Sequence, residues 1–119
     1  MANVYLVDDS MFQVTVTTQL LVELGYNVTS SRNPIEAVEQ IIEGSFDCVI
    51  ADHLMPGMNG VELLERVKLE KPELKVILLT SNIQKTVEKE AKAKGASFFL
   101  PKPANKEMLS VALKQAMGE

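Results

Sequence analysis

The sequence has one cysteine, no run of basic residues and no apolar stretch long enough to cross a membrane. With Cys48 alone, no internal disulfide can form, and its position in an apolar run predicts a small core side chain in a reducing compartment. The net charge of −4 gives no reason to expect nucleic-acid binding. The first residues also lack the charged-then-apolar form of a signal peptide. We therefore expect a soluble, cytoplasmic domain without membrane insertion or direct contact with nucleic acid.

The length and composition predict one globular domain. A chain of 119 residues is large enough to bury about two-thirds of its unfolded surface. The contents of 46% hydrophobic and 24% charged residues are those of an ordinary folded protein. Because the chain has no linker, internal repeat or low-complexity segment, we expect residues 1–119 to form a single unit.

Short apolar runs alternate with amphipathic stretches along the whole chain. Asn33-Pro34 and Asn59 are typical helix starts, and Gly25, Gly44 and Gly95 are placed where helical stretches end. The predicted strands are 4–7, 26–30, 46–51, 75–79 and 98–100, and a predicted helix follows each strand, the fourth over 83–94 and the last over 105–117. Strict alternation predicts an α/β fold with a parallel sheet, right-handed crossovers and helices on both faces.

Polar residues follow four of the predicted strands at their carboxyl ends. These residues are Asp8, Asp9, Asp52, Thr80 and Lys102. In an open parallel sheet the carboxyl ends of the strands meet at one edge, where such folds bind ligands. Each residue alone has an ordinary explanation, such as a helix cap or a loop position. Three carboxylates, a hydroxyl and an ammonium together favour a site for a divalent cation and a phosphoryl group.

Four motifs carry a resemblance to a known family. They are LVDDS, ADHLMPGMNG, LLTSN and FFLPKP, and their order and spacing resemble those of the receiver domain of bacterial two-component response regulators. The resemblance covers all 119 residues. It implies a (βα)5, doubly wound, five-stranded parallel sheet of the flavodoxin-like strand order 2-1-3-4-5. It also implies a stand-alone receiver of the chemotaxis type.

The resemblance assigns the acidic residues to a phosphorylation site. It implies that Asp52 is the nucleophile that accepts a phosphoryl group. Mg²⁺, or Mn²⁺ in its place, would bind Asp9, Asp52 and the backbone carbonyl of Leu54, while Asp8 would act mostly through a metal-bound water. Carboxylate attack on phosphorus is helped by cations that spread charge away from the transferred group.

The resemblance also implies a switch. Thr80 would hydrogen-bond one phosphoryl oxygen, Lys102 would pair with another, and the aromatic ring of Phe99 would turn inward as Thr80 moves. The Lys102-Pro103 bond would be cis. Leu54 and Asn82 stand at the two positions that tune hydrolysis of the acyl phosphate. Because Leu54 cannot orient a water by hydrogen bonding, we expect slow self-dephosphorylation.

The implied partners are proteins. A histidine kinase or phosphotransfer protein would supply the phosphoryl group, and a target would bind the face formed by the fourth helix, the last strand and the last helix. The domain would be a monomer that catalyses only its own phosphorylation and dephosphorylation. Other roles inside the family stay open: a phosphoryl relay or sink, a docking-only receiver that is not phosphorylated, or a receiver excised from a longer regulator.

Two other classes of protein fit the sequence less well. A phosphatase with an aspartyl intermediate typically has a second aspartate two residues after the nucleophile, where this chain has Leu54. A flavin-binding domain would need a phosphate-binding loop rich in Ser, Thr and Gly after the first strand, and LVDDSMFQ is acidic instead.

His53 directly follows Asp52, which raises the question of a phosphohistidine relay or a metal ligand. Alternation along a strand predicts instead that His53 faces away from Asp52.

Overall fold

Five parallel strands form one sheet, and five helices alternate with them along the chain. The computed structural model describes residues 2–81 and 84–118. Its elements are β1 (Asn3–Val7), α1 (Met11–Glu23), β2 (Asn27–Ser31), α2 (Pro34–Glu43), β3 (Cys48–Asp52), α3 (Gly60–Glu70), β4 (Lys75–Thr80), α4 (Lys85–Ala93), β5 (Phe98–Pro101) and α5 (Lys106–Ala116). The strand order is β2-β1-β3-β4-β5, which confirms the predicted fold class and strand order.

The sheet separates two apolar layers. Successive residues of a strand point to opposite faces, so β1, β3, β4 and β5 contribute to both layers, whereas β2 contributes Val28 to one of them. One layer contains Val49 of β3 with Leu64 of α3, and the other contains Ile50 of β3 with Leu113 of α5. All five residues of β3 are buried, as expected of a central strand covered on both faces.

Cys48 is the first residue of β3 and is fully buried in the layer formed with α1 and α5. Burial raises the pKa of its thiol to about 12. The prediction that this cysteine is a core side chain is therefore confirmed.

The predicted boundaries of most elements differ by one or two residues from those of the structure. β3 begins at Cys48 rather than at residue 46, because Asp47 is occupied by two bonds to the start of β1. The backbone N–H of Asn3 donates to Asp47 Oδ2 at 2.7 Å, and the N–H of Asp47 donates to the Asn3 carbonyl at 2.8 Å. β2 lies one residue later than predicted, and α4 spans Lys85–Ala93. The predicted first residue of that helix, Ile83, lies outside the described residues.

Asparagine side chains begin three of the helices. Asn33 Oδ1 accepts from the N–H groups of Ile35 and Glu36 at the start of α2, and Asn105 Oδ1 accepts from the N–H of Met108 in α5. Asn59 and Glu62 form a reciprocal capping box at the start of α3, with both bonds at 2.9 Å. These bonds satisfy backbone donors that have no partner within the helix.

α4 is attached to the fold less firmly than the other helices. Ala91 is its single buried residue, and the side chain of its N-cap residue, Gln84, makes no capping bond. Val87 is partly buried against the apolar layer that includes Phe99. A helix with so little buried area has little free energy holding it in place.

Within the described ranges, none of the helices is long and apolar enough to cross a lipid bilayer.

The two N-cap positions of α3 and α4 provide a matched pair of substitutions. Asn59→Ala removes the bond from the Glu62 N–H to Asn59 Oδ1 and should lower the free energy of unfolding by about 0.5–2 kcal/mol. Gln84→Ala removes no capping bond and should change it by less than about 0.5 kcal/mol. Urea unfolding followed by circular dichroism measures both values. Equal losses in the two variants would contradict the assigned role of Asn59.

Candidate functional site

The sheet brings the carboxyl ends of β1, β3, β4 and β5 to one edge. Ala51 is paired with Val7, Asp52 with Leu79, and Thr80 with Pro101 in the register of neighbouring strands. The residues that directly follow these strands must therefore lie near one another. This is the edge at which open α/β sheets bind their ligands.

Lys102 connects the first and third strands through its side chain. Its Nζ atom lies 2.8 Å from Asp8 Oδ2 and 3.3 Å from Asp52 Oδ2. The side chains of Lys102, Asp8 and Asp52 are 14%, 4% and 7% exposed, so water screens these ion pairs only weakly. Breaking a buried ion pair leaves an uncompensated charge, which makes this lysine costly to remove.

The carboxylates of Asp8, Asp9 and Asp52 form one cluster. Each offers an oxygen atom, and these oxygens lie within 4.8 Å of one another. Three carboxylates meet a single ammonium group here, which contacts only two of them. The remaining negative charge and the all-oxygen donor set fit a hard divalent cation such as Mg²⁺.

The surroundings of Asp52 and Lys102 shift their pKa values in the same direction. Burial raises the pKa of Asp52, the charge of Asp8 adds to this, and the opposing effects of Lys102 and the Leu54 N–H do not cancel it. Burial acts to lower the pKa of Lys102, but its hydrogen bond to Asp8 and the charges of both carboxylates outweigh burial and raise it. A raised pKa means that the ionised carboxylate of Asp52 is held at a cost in free energy.

Thr80 and Phe99 occupy neighbouring strands beside this cluster. Thr80 is fully buried at the end of β4, and its carbonyl accepts the backbone N–H of Lys102 at 2.8 Å. Phe99 is buried and packs in the same apolar layer as Ala91 of α4. The Lys102-Pro103 bond is cis, as predicted.

The loop after β3 contains Leu54 and His53. The N–H of Leu54 donates to Asp52 Oδ1 at 3.4 Å, and its exposed side chain offers no polar group. The backbone N–H of His53 donates to the Leu79 carbonyl at 2.8 Å. His53 is not a member of the potential metal-binding group, which consists of Asp8, Asp9 and Asp52 among the described residues. The other residue expected to tune hydrolysis, Asn82, lies outside the described residues.

Reasoning from the sequence assigned no individual role to three residues at this edge. The carbonyl of Ser31 accepts the N–H of Asp8 at 3.2 Å, and Arg32 Nε donates to the Asp9 carbonyl at 3.3 Å. A Cβ atom on Gly60 would lie 2.9 Å from the Asp52 carbonyl oxygen, so only glycine fits there without movement of the strand end. One signal was available, because Ser31-Arg32 follows a strand just as the acidic residues do.

Residues 4–114 match the response regulator receiver domain family. The chain belongs to this family. As a receiver domain it is a signalling domain of two-component systems, whose members typically bind Mg²⁺ at an acidic pocket and interact with kinases or phosphotransfer proteins and with downstream targets. The resemblance inferred from the four motifs is therefore confirmed.

Known proteins similar to this receiver domain include larger transcriptional regulators. The transcriptional regulatory protein ZraR of Klebsiella oxytoca is 31% identical over 116 residues, which make up 98% of this chain and 26% of that protein. The DNA-binding transcriptional regulator NtrC of Azospirillum brasilense is 33% identical over 111 residues, or 92% of this chain and 23% of that protein. The chain thus spans about a quarter of these relatives.

Solved structures of similar receiver domains match over nearly their whole length. A response regulator receiver domain protein from Clostridium thermocellum has a TM-score of 0.95 and 28% identity, with 99% of this chain and 95% of that chain covered. The Vibrio cholerae chemotaxis protein CheY4 has a TM-score of 0.92 and 31% identity, with 98% of both chains covered.

Replacing Asp52 by asparagine should stabilise the cation-free protein at neutral pH. The pKa of Asp52 is raised on folding, so protonation of this group favours the fold. That contribution is fully present below the unfolded pKa of aspartate, near 3.8, and is lost as pH rises through the higher folded value. Asp52→Asn stays neutral at every pH, so its advantage over wild type should exceed about 0.5 kcal/mol at neutral pH and shrink in acid.

Urea unfolding in the presence of a chelator measures this advantage at neutral and acidic pH. Glu39→Gln is the matched control, because it removes a carboxylate from an exposed position on α2. It should have little effect at either pH. If Asp52→Asn were less stable than wild type at neutral pH, the ionised carboxylate of Asp52 would not lower the free energy of unfolding.

Proposed function

We propose that this receiver domain accepts a phosphoryl group on Asp52 from a histidine kinase or phosphotransfer protein. The observation that supports this most strongly is the position of Lys102, whose ammonium contacts both Asp8 and Asp52 at the carboxyl edge of the sheet. Mg²⁺, or Mn²⁺ in its place, would be held by Asp8, Asp9 and Asp52 with the Leu54 carbonyl. It would supply positive charge next to the transferred group.

Asp52 is better placed than Asp8 to act as the nucleophile. Both oxygens of Asp8 are engaged at short range, by the Ser10 N–H at 3.0 Å and by Lys102 at 2.8 Å. The contacts of Asp52 are longer, at 3.4 Å to the Leu54 N–H and 3.3 Å to Lys102. An oxygen of Asp52 attacks phosphorus, the bond from phosphorus to the donor breaks, and the donor leaves with the electron pair of that bond.

Lys102 and Thr80 act after the transfer. The ammonium of Lys102 pairs with a phosphoryl oxygen, which neutralises part of the charge that the aspartyl phosphate adds. The hydroxyl of Thr80 binds another phosphoryl oxygen. Because the N–H of Lys102 already donates to the Thr80 carbonyl, movements of these two residues are coupled through the backbone.

The signal leaves the domain through the face made by α4, β5 and α5, which binds a protein target. α4 suits this role because Ala91 is its single buried residue, so little free energy opposes its displacement. Phe99 connects the site to this face, since it lies one strand from Thr80 and packs in the same layer as Ala91. Phosphorylation then shifts the position of α4 between two arrangements.

Residues 1–119 act as one receiver domain, a monomer whose chemistry is limited to its own phosphorylation and dephosphorylation. The first role proposed for it is that of an effector. Two other roles, a phosphoryl relay or sink and a docking-only receiver, differ in measurable ways. An effector changes its affinity for a target on phosphorylation, a sink exchanges phosphoryl groups rapidly with a kinase, and a docking receiver takes up none.

Incubation with Mg²⁺ and acetyl phosphate should add one phosphoryl group to the protein, detected by intact mass. The added mass should be absent in Asp52→Asn and in wild type treated with a chelator. It should decay slowly, because Leu54 offers no polar group to orient a water. Glu39→Gln is the matched control and should be phosphorylated like wild type. Phosphorylation of Asp52→Asn to the wild-type level would refute the assignment of Asp52, and no gain in wild type would favour the docking-only role.

Phosphorylation should change backbone hydrogen exchange in α4 and β5 more than in α2. The reason is that α4 has one buried residue, whereas α2 has four. Hydrogen exchange followed by mass spectrometry compares the two states, with Asp52→Asn treated in the same way as the control. Unchanged exchange across α4, β5 and α5 in fully phosphorylated protein would rule out this face as the output surface.

A further inference from the structure

The turn between β2 and α2 is bonded to the loop that carries the acidic pair. The N–H of Asp8 donates to the Ser31 carbonyl at 3.2 Å, and the Nε–H of Arg32 donates to the Asp9 carbonyl at 3.3 Å. Two successive residues of one loop are thus held by two successive residues of the other. The second bond is made by a side chain, so it can be removed without altering the backbone.

The β2–α2 turn is itself well fixed. Ser31 Oγ accepts the N–H of Asn33 at 3.0 Å and donates to the Asn33 carbonyl at 3.1 Å. Asn33 Oδ1 in turn accepts two N–H groups in the first turn of α2, at 2.9 Å and 3.3 Å. Arg32 therefore reaches towards Asp9 from a rigid base between a strand end and a capped helix.

Asp9 differs from the other two carboxylates in how it is held. Asp8 is fixed by Ser10 and Lys102, and Asp52 by Leu54 and Lys102. The Asp9 carboxylate makes no hydrogen bond or ion pair with any other residue that the structure describes, 2–81 and 84–118. Its position relative to the cluster is therefore set by its backbone, and the Asp9 carbonyl is the acceptor that Arg32 holds.

We propose that Arg32 is a positioning residue, which holds the backbone of Asp9 so that its carboxylate can join a cation at the acidic cluster. This inference rests on the proposed binding of Mg²⁺. The guanidinium is planar and its donors have fixed directions, whereas a lysine places one flexible ammonium on a longer stem. The positive charge of Arg32 has the opposite effect, because it repels a cation, so the bond and the charge can be tested separately.

Arg32→Lys keeps the charge but removes the Nε donor, and Arg32→Gln removes both. Titration calorimetry with Mg²⁺ should give Arg32→Lys an affinity about 2- to 10-fold weaker than wild type, the range for loss of one hydrogen bond. Arg32→Gln should fall between that variant and wild type, because losing the charge partly offsets losing the bond. Arg66, the other arginine of the chain, is exposed on α3, and Arg66→Lys and Arg66→Gln should match wild type.

A second readout separates positioning from general structural damage. At saturating Mg²⁺ the rate of phosphorylation by acetyl phosphate should return to the wild-type value in Arg32→Lys, while at low Mg²⁺ it should be slower. The urea midpoint should stay close to that of Arg66→Lys. If Arg32→Lys binds Mg²⁺ as tightly as wild type, the positioning role is refuted, and tighter binding by Arg32→Gln would then assign a charge effect alone. If wild type binds no Mg²⁺, the proposed function fails and this inference fails with it.

Discussion

The balance of charge at the carboxyl edge of the sheet is the constraint on which the site depends. The topology brings three carboxylates to within 4.8 Å of one another, and the ammonium of Lys102 contacts two of them. Even with the exposed guanidinium of Arg32 at the Asp9 carbonyl, two positive charges cannot neutralise three negative ones, and burial makes the excess costlier, as the raised pKa of Asp52 indicates. The proposed Mg²⁺ would offset this excess of negative charge. The charge that the proposed cation site needs is therefore a cost to the stability of the fold.

Lys102 also connects the acidic cluster to the backbone at the end of β4. Its side chain contacts the carboxylates, while its backbone N–H donates to the end of β4 at Thr80. Between these two chain positions lies α4, which has one buried residue and no side-chain cap in its described portion. A change of charge at the cluster, such as the proposed phosphorylation would cause, would thus act on the two ends of the least anchored segment, while β3 is buried along its whole length.

Local patterns were sufficient to predict a parallel sheet and the gathering of Asp8, Asp52 and Lys102, whereas the strand order was implied by the resemblance to the family. Apolar runs mark the strands, and parallel topology alone brings their carboxyl ends together. Features that depend on contacts between distant positions were not predictable in this way. β3 starts late because Asp47 bonds to Asn3, 44 residues away. Arg32 follows a strand as the acidic residues do, but its bond to Asp9 is seen only in the structure. The need for glycine at position 60 likewise appears only when α3 approaches the end of β3.

The single thiol of the protein lies at the opposite end of β3 from Asp52. Cys48 is fully buried, and the pKa of about 12 keeps it protonated and unreactive towards alkylating reagents while the sheet is intact. A cysteine introduced on any exposed helix can therefore carry a fluorescent or spin label without removal of the native one. Under conditions that open the sheet, the slow modification of Cys48 would in turn report how often the central strand is exposed.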